Sequence, residues 1–197
     1  MSNISPYRDK RQEFFKDKFE KAQDYTNYLA NSEQRYSLKW QEFESKILLP
    51  ERAKQILNSF TRKINILVLS GIWCGDCSRQ GPMFRLIEKN CPLLQFKFID
   101  NKEHADLAEE LRINGAGKVP VVVALSEDFF EMSRFGDRHL SVYRNKLQNE
   151  LGAACDPGIL PPHQEDLTVE FLEWVSFFER VQIMLRLSPM LRRRYND

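Results

Sequence analysis

Two thiols separated by two residues, in Trp73-Cys74-Gly75-Asp76-Cys77, constrain this chain more than any other feature. That spacing lets them close a small disulfide ring and reopen it by exchange. The pentapeptide follows the apolar run Ile66-Leu67-Val68-Leu69-Ser70, which reads as a buried parallel strand, and precedes a segment with helical spacing. The cysteines therefore sit at a strand-to-helix junction. Four cysteines in 197 residues are too few for a secreted disulfide scaffold, so the close pair reads as redox or metal chemistry. A closed zinc site takes four ligands, and Cys91, Cys155, His104, His139 and His163 are scattered, so no metal is expected.

The flanking pattern is helical. Phe14, Phe15, Phe19, Ala22, Tyr25 and Leu29 predict an amphipathic helix from about Asp9 to Ala30, and Tyr36, Trp40, Phe43 and Ile47 predict a second. Pro50 can open a third, carrying Ala53, Ile56, Leu57 and Phe60 toward a strand that begins near Ile64. Beyond the cysteines, a helix runs to Cys91-Pro92, a strand over Leu94 to Ile99, and a helix over Glu103 to Arg112. A strand from Pro120 to Leu125 then turns at Ser126-Glu127-Asp128 into another through Arg134, before a helix with Leu140, Tyr143, Leu147 and Leu151. This order predicts an α/β unit, a central mixed sheet flanked by helices, over residues 50–152. A helical extension precedes it over 1–49, and a loop and helix follow over 153–197. Gly152 to Pro162 is the connection, Thr168 a candidate cap, and Ser188-Pro189 the expected stop.

At this point the chain resembles the thioredoxin family. The pentapeptide matches that family's Trp-Cys-Gly-Pro-Cys centre at four of five positions, and Pro82 falls five residues after the second cysteine, where the family bends its helix. Val119-Pro120 fits the family's cis-proline, and Gly136 its glycine in the last strand. The resemblance implies a thioredoxin-like fold with Cys74 as nucleophile and Cys77 as resolving thiol. It also implies that Trp73, Gly75, Asp76, Val119 and Pro120 form the surface that meets substrate. Disulfide-containing proteins would be reduced, with thioredoxin reductase or another thiol donor supplying electrons and no cofactor held.

Two departures bear on the chemistry. Val68 stands where the family carries a buried acid, and Asp76 replaces the proline before the second cysteine. A carboxylate there opposes thiolate formation while the helix N-terminus favours it. Asp76 is read as a solvent-facing helix start, with a proton-acceptor role as the alternative, and Arg79 as a solvated arginine. Lys118 is read as biasing the groove toward acidic partners, and Arg192-Arg193-Arg194 as a frayed terminus.

A net charge of +1, from 29 basic and 28 acidic side chains, gives no electrostatic footprint for nucleic acid or membrane. The polar N-terminus and the lack of a run of about 18 apolar residues predict a cytoplasmic chain. The extensions either cover the sheet or form a homodimer interface. A redox-switched binding or adaptor module, and a glutathione-dependent glutaredoxin-like enzyme, are the competing functions.

Overall fold

The computed structural model describes residues 7–151 and 167–196, apart from the side chains of 148–151. Cys155, His163 and the connection from Gly152 to Pro162 lie outside the described residues. The chain enters through helix α1 (Gln12–Lys21) and helix α2 (Tyr25–Ala30). The single helix expected here is two. Gln23 leaves the helical path to exchange backbone hydrogen bonds with Phe98 (2.9 and 2.7 Å), and the Asp24 carboxylate accepts from Asn27 N (2.9 Å) to cap the second helix. Side-chain periodicity continues across the break, so pairing with a sheet edge decides the backbone here.

Helices α3 (Gln34–Lys46) and α4 (Glu51–Asn58) follow, the second with Pro50 as its N-cap. Strand β1 (Ile64–Ser70) leads into helix α5 (Gly75–Asn90), strand β2 (Leu94–Asp100) and helix α6 (Ala105–Glu110). Strands β3 (Val121–Leu125) and β4 (Glu131–Gly136) form the hairpin, and helix α7 (Leu140–Leu151) closes the unit. The sheet order is β2-β1-β3-β4, with β1 parallel to β2 and the other two pairs antiparallel. This is the thioredoxin-like arrangement that the sequence predicts.

Alternation along the strands divides the core in two. Leu67, Leu69, Val121 and Val123 pack against Phe15 and Phe19 of α1 and Leu107 of α6. Ile66, Val68, Phe96 and Val122 face the larger side, filled by Trp40 of α3, Phe84 of α5, and Trp174 and Phe178 of helix α8 (Leu167–Leu187). The apolar faces of both extensions are thus buried within the chain, against the sheet and α5. Thr168 lies inside α8, one residue past its start, in place of the expected cap. Ser188-Pro189 ends α8 as expected but also opens helix α9 (Pro189–Tyr195), with the Ser188 hydroxyl accepting from Leu191 N. The arginine cluster is therefore helical, and Arg194 (2.5 Å) and the Tyr195 hydroxyl (2.9 Å) both bind Asp128.

Candidate active site

The cysteines take their positions from the turn that joins β1 to α5. Cys74 is the N-cap of the helix. Its N–H donates back to Gly71 O (2.9 Å), and its own carbonyl accepts from Ser78 N (2.9 Å). A Cβ on Gly71 would lie 2.9 Å from the Trp73 indole, so only glycine lets that ring fold over the turn. Trp73 is exposed, with Lys102 Nζ 5.5 Å from its ring centroid. Cys74 is half-buried at the surface, whereas Cys77, one helical turn on, is buried and accepts from Gly71 N (3.5 Å).

Residues from a distant loop complete the face. Cys74 Sγ lies 3.6 Å from Val119 O, and the Val119-Pro120 peptide is cis. A Cβ on Gly136 would come within 2.6 Å of Pro120 O, so the absence of a side chain in β4 lets the proline loop settle against the sheet. The structure therefore brings Trp73, Cys74, Gly75, Asp76 and Cys77 together with Val119 and Pro120. Gly75 is the least constrained of these: a Cβ there would meet only Lys39 Nζ, at 3.7 Å.

The two thiols are electrostatically unlike. The hydrogen bond from the Cys77 side chain holds Cys74 down to about 6; burial opposes the shift, and the backbone N–H groups of Cys77 and Asp76 assist it. Burial pushes Cys77 well above its ordinary value, and the proximity of Cys74 pushes it further. At neutral pH Cys74 is a thiolate within reach of solvent and Cys77 a buried thiol.

Asp76 differs from the expected solvent-facing residue. Its carboxylate is largely buried and pairs with Arg79 Nη2 (2.9 Å) and Arg138 Nη2 (2.7 Å). Arg79, expected to be solvated, also binds Glu170 of α8 through Nε (2.7 Å) and Nη2 (3.2 Å). Lys118 is likewise paired, holding Asp137 at 3.0 Å. Burial acts to raise Asp137, but Tyr143 OH (2.5 Å) and Lys118 hold it below the usual carboxylate range. A ladder of alternating charge thus runs from Glu170 through Arg79, Asp76, Arg138 and Asp137 to Lys118. Arg138 and Glu170 were missed in the sequence. Asp137 and Arg138 directly follow Gly136, which is a usable local signal, whereas Glu170 stands 91 residues from its partner and has none.

Among the described residues no group of three or more His, Cys, Asp or Glu side chains could hold a metal ion, and no helix is long and apolar enough to cross a membrane.

A family model described as Thioredoxin matches residues 22–144, from the end of α1 into α7. Comparison with curated proteins gives no match. Among solved structures, a protein of unknown function from Pseudomonas aeruginosa is similar at 18% identity with a TM-score of 0.66, over 82% of this chain and 95% of that one. An HIV epitope-scaffold is similar at 19% identity with a TM-score of 0.60, over 85% and 92% of the two chains. Both likenesses concern the fold.

Proposed function

The chain belongs to the thioredoxin family, a membership that supports thiol-redox chemistry, and from it we propose a cytoplasmic thiol-disulfide oxidoreductase that reduces protein disulfides through a Cys74/Cys77 cycle. The observation that carries this reading is the division between the thiols: a half-buried sulfur at a helix N-terminus, lowered to about 6, one helical turn from a buried sulfur pushed upward by burial. The Cys74 thiolate attacks a substrate disulfide, forming a mixed disulfide and releasing one substrate sulfur as thiolate. Cys77 then attacks Cys74 Sγ. The Cys74–Cys77 bond forms, the second substrate sulfur leaves with its electron pair, and the substrate has gained two electrons, one proton from Cys77 and one from solvent.

Trp73, Gly75, Asp76, Val119 and Pro120 form the receiving surface in this reading, with Val119 O beside Cys74 available to an extended substrate backbone. Electrons return from thioredoxin reductase or another thiol donor. Substitution Cys77→Ser is expected to accumulate mixed disulfides with substrate proteins, resolved on non-reducing gels, and Cys74→Ser to abolish turnover. A Cys77→Ser protein that traps nothing under oxidising conditions would contradict the cycle.

A further inference from the structure

The family's buried acid is absent here, because Val68 fills its place with a hydrocarbon. Cys77 must nevertheless become a nucleophile in a site where burial disfavours its charge. Two buried hydroxyls share its side of the sheet. Ser70, two residues beyond Val68 on β1, faces the same side of the sheet and is fully buried. Tyr28 arrives from α2, with its ring wedged against Trp40 (5.7 Å between centroids) and Phe98 (5.5 Å). Cys77 Sγ accepts from the N–H of Gly71 (3.5 Å), the residue that follows Ser70, and the Ser70 hydroxyl acts to lower the pKa of both Cys77 and Tyr28. Neither hydroxyl makes a hydrogen bond of ordinary geometry in this dithiol state. Leaving two hydroxyls buried and unpaired costs stability, and replacing each with its apolar counterpart would relieve that cost.

We propose that Ser70 donates a hydrogen bond to the Cys77 thiolate during resolution, and that Tyr28 is the residue that positions the Ser70 hydroxyl. The inference rests on the dithiol cycle proposed above. As Cys77 Sγ attacks Cys74 Sγ, the Cys77–Cys74 bond forms, the Cys74–substrate bond breaks, and the departing substrate sulfur takes up the proton released by Cys77. The Ser70 hydroxyl keeps its proton and supplies a dipole to a charge that exists only in passing. The remaining charged and titratable groups are placed differently. Cys74 faces Cys77 from the N-cap of the same helix, Asp76 is paired with two arginines, and Asp100 and Glu103 act on Tyr28 from the end of β2 and the turn beyond it.

The test mixes reduced full-length protein with an aromatic chromogenic disulfide in a stopped-flow instrument across about pH 6 to pH 9, the range in which thiols titrate. Release of the first chromophore reports attack by Cys74, and release of the second reports resolution by Cys77. Substitution Ser70→Ala is expected to slow the second phase at least about tenfold, the loss of one hydrogen bond to a charged group, and to move its pH midpoint upward. The first phase stays unchanged and the melting temperature is equal or higher. Tyr28→Phe shifts the second phase in the same direction by less. A second phase unchanged in both variants overturns the proposal, as does slowing of both phases together with a lower melting temperature. Wild-type protein that never releases the second chromophore would instead overturn the cycle itself.

Discussion

At the scale of single residues, the reactivity of Cys74 is set by a balance in which Asp76 plays both parts. Its carboxylate opposes the thiolate while its backbone N–H favours it, and the arginines at 2.9 and 2.7 Å blunt the carboxylate's share. Asp76→Asn is therefore expected to lower the Cys74 pKa below about 6, and Arg138→Met to raise it. The pH dependence of Cys74 alkylation, followed by mass spectrometry, checks both directions. The pentapeptide, its spacing and Val119-Pro120 were all legible in the chain, because each is a local or family-marked signal. The partners of Asp76 were not, since one charge on a helix surface says nothing about which distant element will cover it.

At the scale of elements, one glycine decides how closely α3 approaches α5. A Cβ on Gly81 would fall 1.9 Å from Trp40 Cζ3, so Trp40 packs onto the backbone of α5 and donates from Nε1 to Ile72 O (3.0 Å) just ahead of the cysteines. Gly81→Ala gains about 1 kcal/mol of helix propensity but forces the indole out, and a net loss of about 2 kcal/mol in urea unfolding is expected. His139 offers a second test. It is sandwiched between Phe135 (4.3 Å) and Trp174 (4.4 Å), and burial lowers its pKa to about 3. Because the folded pKa is depressed, the neutral ring's contribution is present above the ordinary value of 6.5 and is lost as pH falls toward about 3. His139→Phe should flatten that limb of the stability-against-pH curve. The stripe containing Trp40 was visible as an amphipathic helix, but the break at Gln23 was not, because hydrophobic period is blind to hydrogen bonds made with a neighbouring strand. Gly81, next to Pro82 inside a helix, was a signal of close approach available in the sequence and not read there.

At the scale of the whole molecule, the extensions and the central unit share one interior. Trp40 and Trp174, from opposite ends of the chain, are both fully buried in the cluster that contains Val68, Cys77 and Phe84. Removing either extension exposes aromatic surface that the sheet cannot cover alone, so residues 50–152 expressed by themselves are expected to be unfolded or aggregated by circular dichroism and size exclusion. A soluble, folded fragment would show that the extensions are accessories. That the flanking stripes would be buried was readable from their aromatics; that α8 would reach the active site through Glu170 and Arg79 emerges only when the chain is folded. The central claim concerns the cysteine pair, and a redox titration in defined thiol-disulfide buffers, read by alkylation and mass spectrometry with protein-disulfide reduction assayed alongside, tests it most directly. The account predicts a reversible two-electron transition confined to Cys74 and Cys77, with a midpoint below about −220 mV and turnover of a protein disulfide. Absence of any reversible Cys74–Cys77 disulfide would contradict it.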